Sequence, residues 1–189
     1  MLGAASDLFA QKGYARTTFQ EIAAAADVSV ATVFNYFSSK DDLVAALLRP
    51  DLERILARGQ RVIERPPADP GRAMVRLLSA YSDLGGPSWK RRELLKLAIF
   101  PGIDNTGKLT SLVIEADSRT RAQICELLVE LRRAGRLRPR LPIEDAAAVI
   151  FALLNQHYAA FLTQPRLDFR TMFHRLGRQV RLVFADWQP

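Results

Sequence analysis

The sequence predicts an all-α chain: a three-helix head containing a helix-turn-helix over residues 1–46, followed by a larger helical body over 47–189. Three observations carry that expectation. Apolar residues recur at helical rather than alternating spacing along nearly the whole chain, two capping signals stand eleven residues apart at Thr18 and Ser29, and Pro/Gly clusters divide the remainder into helix-length pieces. No segment shows a strand alternation strong enough to compete.

The head is clearest between residues 17 and 40, TTFQEIAAAADVSVATVFNYFSSK. Thr18 is placed to cap a helix, and Glu21 three residues later completes a capping box. Phe19, Ile22, Ala23 and Ala26 then share one face, with Ala23 small enough to admit a neighbouring helix. Asp27 occupies the turn, where a left-handed backbone is wanted and Asp tolerates it. Val28 tucks beneath the turn, and Ser29 caps the second helix.

On that second helix Val33 and Phe37 lie one turn apart and face inward, so the 100° step leaves Ala31, Thr32 and Asn35 outermost, able to reach base edges. Phe34 and Tyr36 fall on the flanks, suited to a thymine methyl and a phosphate. Val30 fits either face. The competing reading of the segment is an ordinary helical hairpin with an aromatic core stripe. Ser38 and Ser39 cap a further helix, with Asp41 and Asp42 favourably in its first turn. Lys40 opposes the helix dipole there, which points to an external anion such as a DNA phosphate; neutralisation by the two Asp neighbours is the alternative.

Composition bounds the rest. With 189 residues and 49% hydrophobic content the chain can bury a substantial core. Its short apolar runs and its opening, MLGAASDLFAQKGY, predict neither a membrane-spanning helix nor a signal peptide, and so a cytoplasmic protein. Cys125 is the sole cysteine, so an internal disulfide and a multi-cysteine zinc site are excluded, and the thiol is expected as a small buried apolar group. His157 and His174 form no metal-spaced pair, and neither a phosphate loop nor a nucleophile elbow occurs. No cofactor, metal or catalytic residue is expected.

The net charge is +7, but residues 1–49 hold four basic groups (Lys12, Arg16, Lys40, Arg49) against five acidic ones (Asp7, Glu21, Asp27, Asp41, Asp42). A nucleic-acid role therefore rests on the motif, not on bulk charge. The excess lies downstream, notably Arg132, Arg133, Arg136, Arg138 and Arg140, expected as a solvated helix end.

Further along, a long helix is expected from Asp41 to Arg65, kinked or divided by Pro50; others over Arg72–Leu84, Ser88–Phe100 and Lys108–Ala134, the last closed by Gly135. Two broad apolar stripes follow. One comprises Ala146, Val149, Ile150, Leu153, Leu154, His157 and Phe161; the other comprises Phe169, Met172, Phe173, Leu176, Val180, Val183, Phe184 and Trp187.

The N-terminal segment resembles the TetR family of bacterial transcriptional repressors. The resemblance is carried by Ala5, Leu8, Phe9, Gly13, Tyr14, Thr17, Ile22, Ala23, Ala26, Val28, Ser29, Tyr36, Phe37, Lys40 and Leu43. It implies that Thr18, Tyr36 and Lys40 hold phosphates while Gln20, Val30, Ala31, Thr32, Phe34 and Asn35 face the major groove, with Thr17 and Ser29 in the same surface. It further implies a homodimer on a palindromic operator in double-stranded DNA, paired through Val149, Leu153, His157, Phe161, Phe173, Leu176, Val180 and Phe184. Burial of those stripes within one subunit is the alternative. Release by a small-molecule effector is implied too, with Tyr81, Trp89, Phe100, Asn155, Gln156, His157 and Tyr158 as candidate pocket residues. The family usually carries a basic arm before its first helix, whereas this chain opens at or just before that helix. A helical dimeric interaction protein with a weakened head is the second reading.

Overall fold

The helices begin where the capping residues place them. In the computed structural model, which describes residues 1–81, 96 and 107–189, the Thr18 hydroxyl accepts from the Glu21 N–H at 3.3 Å. Glu21 Oε2 accepts from the Thr18 N–H at 2.9 Å, so the capping box is complete. Ser29 Oγ accepts from the Thr32 N–H at 3.0 Å and starts the next helix. At the head of the long helix, Ser39 Oγ accepts from the Asp42 N–H at 3.1 Å and Asp42 Oδ2 accepts from the Ser38 N–H at 3.0 Å. Each bond satisfies a donor that the first helical turn leaves open.

Among the described residues the secondary structure is helical, with no strand. The helices are α1 (Leu2–Lys12), α2 (Phe19–Ala25), α3 (Val30–Tyr36), α4 (Lys40–Glu64), α5 (Pro70–Ala80), α6 (Lys108–Arg133), α7 (Ile143–Thr163) and α8 (Phe169–Trp187). The expected break at residues 85–87, the expected helix Ser88–Phe100 and the loop after it lie outside the described residues. Two compact units emerge, residues 1–52 with 85–115, and residues 53–84 with 116–189.

In the first unit, α1 buries Ala5 and Phe9, α2 buries Phe19, Ile22 and Ala23, and α3 buries Val33; Leu43, Val44 and Leu48 of α4 complete the core. α2 packs on both α1 and α3. Asp27 takes φ 53°, the left-handed conformation expected of the turn. Pro50 does not divide α4, which runs unbroken past it to Glu64. Its missing N–H costs one rung, at the Ala46 carbonyl.

In the second unit Ala73, Met74, Leu77 and Leu78 of α5 and Ile124, Leu127, Leu128 and Leu131 of α6 are fully buried. The apolar face of α8, Met172, Leu176, Gly177, Val180 and Phe184, closes against α5 and α7. This corrects the dimer expectation for Leu176, Val180 and Phe184, whose side chains are consumed inside one subunit. His157 and Phe161 are buried as well. Leu153 and Phe173 are half-buried, and Val149 is 45% exposed. Periodicity marks a face that must be covered, and here α5 covers much of it.

One helix, α7, is by length and composition alone, with mean hydropathy 1.4, apolar enough to span a bilayer, which the short apolar runs of the sequence did not suggest. Its burial of Ala146, Ala147, Ile150, Leu154, Phe161 and Leu162 gives it the packing of a core helix, which passes the same test. The arginine cluster departs from a simple solvated end. Arg133 pairs with Glu130 at 2.7 Å as expected, but Arg132 donates to the Leu141 carbonyl at 3.0 Å and Arg136 to the Pro67 carbonyl at 3.1 Å, fastening two loops. Arg138 reaches Asp186 at 2.9 Å. Gly135 closes α6 at φ 69°, with the Arg136 N–H returning to the Leu131 carbonyl at 3.0 Å. Cys125 is half-buried, and burial pushes its thiol pKa up, away from the reactive thiolate.

Candidate nucleic-acid interface

α3 has a single fully buried side chain, Val33, so most of its surface is available. Ala31, Phe34, Asn35 and Tyr36 are exposed, Phe34 at 52% and Tyr36 at 65%. Thr32 and Val30 are half-buried, and Thr32 Oγ1 lies 2.8 Å from Ser29 Oγ, so the cap and this hydroxyl share a proton. Phe37 is half-buried and ends the helix. Phe34 is not a free flank: its ring meets Phe19 edge-on, with centroids 4.6 Å apart, which fixes α3 against α2 while leaving the outer edge bare.

On α2 and its approach, Thr18 and Gln20 are exposed. Glu21 is held down to about 2, first by its hydrogen bond with Lys12 and then by Thr18, which locks the capping box in its ionised form. Thr17 departs from expectation. It is only 1% exposed, and its hydroxyl donates to the Gly13 carbonyl at 2.9 Å, so it holds the loop instead of facing a groove. Gly13 enters that loop at φ 84°, where a side chain would be strained.

Lys40 also has a task the sequence did not reveal. Its ammonium donates to the Tyr14 carbonyl at 2.9 Å and the Ala15 carbonyl at 3.3 Å, and sits 4.5 Å from the centroid of the Tyr14 ring. Neither a phosphate nor the two Asp neighbours is needed to explain a cation at that helix start. The Tyr14 hydroxyl donates to Asp41 at 2.6 Å, and burial together with this bond raises its pKa. Asp42, expected as a dipole partner and as one possible neutraliser of Lys40, is buried and meets Lys108 at 3.1 Å. Tyr14 and Asp41 were missed as a bonded pair because 27 residues separate them.

Among the candidate effector residues, Trp89 and Phe100 lie outside the described residues. Asn155 and Gln156 are exposed. His157 is buried, with Nδ1 2.8 Å from the Leu153 carbonyl one turn back on its own helix. Tyr81 and Tyr158 do come together. The Tyr158 hydroxyl donates to the Tyr81 carbonyl at 3.2 Å, and the Tyr81 hydroxyl donates to Gln123 Oε1 at 3.0 Å. Gln123 in turn donates to the Leu56 carbonyl at 2.9 Å and to Gln60 at 3.3 Å. Gly59 makes this possible, since a Cβ there would come within 2.9 Å of Tyr81 Cε1. The isolated Gly inside a helical pattern was the available signal of close approach. Among the described residues no group of acidic, His or Cys side chains could hold a metal.

Comparison with known proteins places these features. Residues 1–47 match the profile of bacterial regulatory proteins, tetR family. The HTH-type transcriptional repressor Rv3405c of Mycobacterium tuberculosis is 40% identical over 87 residues, 43% of this chain and 46% of that protein. YvkB of Bacillus subtilis, an HTH-type transcriptional regulator, is 52% identical over 48 residues, 25% of each chain. The matched part thus spans less than half the length of either curated relative. In fold, a transcriptional regulator from Rhodococcus superposes with TM-score 0.74 at 23% identity, covering 98% of this chain and 95% of that one. SmeT, the repressor of a Stenotrophomonas maltophilia multidrug efflux pump, superposes with TM-score 0.74 at 17% identity over 100% and 88%. Residues 1–47 are thus similar to bacterial regulatory proteins of the tetR family, and the chain shares its helical fold with those solved structures.

Proposed function

We propose that this chain is a sequence-specific DNA-binding transcriptional regulator, acting as a repressor released from a palindromic operator by a small molecule. One observation carries the reading: a short helix, capped at Ser29, turned at Asp27 and braced by Phe19, presents Ala31, Phe34, Asn35 and Tyr36 to solvent. Phe34 spends one edge on Phe19, but the packing of a single subunit leaves its outer edge and most of Tyr36 uncovered. A major groove, with thymine methyls, base edges and phosphates within reach of one helix, would cover both.

In this reading residues 1–46 form the DNA-binding head and 47–189 the effector and dimerisation body. Asn35 reads a base edge, Phe34 and Ala31 make apolar contacts, and Thr18, Gln20, Ser29 and Tyr36 line the surface. Two copies pair through the residues that α7 and α8 leave uncovered, Val149 and Leu182, the latter 75% exposed, together with the half-buried Leu153 and Phe173. An effector enters among the helices that carry Tyr81, Gln123 and Tyr158, and must prefer the form that does not bind DNA.

Binding of the full-length protein to duplex from its own promoter, measured against random duplex across a salt series, tests the reading. A steep log-log salt slope with clear preference for the promoter supports it. Equal, weak binding to every sequence would overturn it in favour of a helical interaction protein, a reading that the near-neutral head favours.

A further inference from the structure

Of the four cations in residues 1–49, three are occupied inside the first unit. Lys12 pairs with Glu21, Arg49 Nη2 lies 3.1 Å from Glu115 Oε2, and Lys40 is bound by two carbonyls and a ring. Arg16 is the exception. It is exposed, and among the described residues no carboxylate meets it. Its Nε donates to the Lys12 carbonyl at 2.8 Å, which anchors the near end of the guanidinium, and among the described residues its terminal NH₂ groups meet no acceptor. A held Arg fork with no internal anion suits a phosphate, which it can grip with two parallel bonds.

The backbone beneath it is fixed with equal care. Thr17, the next residue, is buried and bonded to Gly13, while Ala15, the residue before, accepts from Lys40. Lys40 therefore pins the very segment that carries Arg16.

We infer that Arg16 is the head's phosphate-gripping cation, and that Lys40 is a positioning residue that holds the Arg16 loop. This rests on the DNA-binding reading above. The division of labour is sharp: Arg16 supplies charge to the complex, Lys40 supplies shape to the head.

The test uses the full chain and a salt titration on promoter and random duplex. R16A is expected to weaken both alike and to flatten the log-log slope by about 0.9 per head, with its melting temperature unchanged. R16K, which keeps the charge, should restore the slope. K40M should lower the melting temperature and flatten the slope no further than R16A does, and the R16A/K40M double variant should show the slope of R16A alone. An unchanged slope in R16A, or a slope lost in K40M with melting intact, overturns the inference. Wild-type protein that shows no preference for promoter duplex would instead defeat the DNA-binding reading itself.

Discussion

The Tyr14 hydroxyl donates to Asp41 Oδ1 at 2.6 Å, bonding the loop after α1 to the first turn of α4 across 27 residues of sequence. A hydrogen bond to a charged acceptor in a partly buried site is worth about 1.5 to 3 kcal/mol. Tyr14→Phe removes the donor, keeps the ring tilted against Phe9, and is expected to destabilise the head by that amount. Hydrogen exchange of the α1 and α2 amides reads the loss directly, and unchanged exchange would show the bond to be dispensable.

The ionised Glu21 gives the head a defined acid response. Its folded pKa of about 2 lies below the ordinary 4.5, so its contribution is fully present above the unfolded value and fades as pH falls from there towards 2. Glu21→Gln should exchange its residues 19–25 faster than wild type at pH 6. The gap should close by pH 2, and should shrink in high salt because the group is exposed. A gap that held at low pH would place the stabilisation elsewhere.

Asn35 is exposed on α3 and bonded to nothing within the described residues. Asn35→Ala should cost about 1 to 3 kcal/mol of preference for the operator while leaving affinity for random duplex unchanged. Equal losses on both duplexes would assign Asn35 to the phosphate backbone instead.

Leu176 and Leu182 stand two turns apart on α8 in opposite environments, one fully buried, the other 75% exposed. Leu176→Ala should lower stability by about 2 to 5 kcal/mol at any protein concentration. Leu182→Ser should leave the subunit's folding within about 0.5 kcal/mol and weaken self-association, seen as monomer in sedimentation where wild type is paired. If both variants sediment and melt alike, α8 has no role in pairing.

What could be read in the sequence was what local chemistry determines. Thr18 with Glu21, Ser29 with the next turn, and Asp27 in the left-handed region each involve residues within four positions, where spacing alone fixes the geometry. Tertiary partners were not legible in that way. Nothing near Lys40 announces the Tyr14 and Ala15 carbonyls, 26 and 25 residues away, so a cation at a helix start suggests an outside anion. The α8 stripe was visible as a face needing cover, but a period cannot say whether the cover is α5 or a second subunit. Asn155 and Gln156 stand out in the sequence as polar residues on an apolar helix, and both are exposed.

The internal pairing of charge in the head reaches beyond equilibrium affinity. Lys12 with Glu21 and Arg49 with Glu115 neutralise cations locally, so the positive excess of this +7 chain lies downstream of residue 49. In the DNA-binding reading that distant excess supplies the long-range attraction, while the few contacts within residues 1–49 decide how long a site is held.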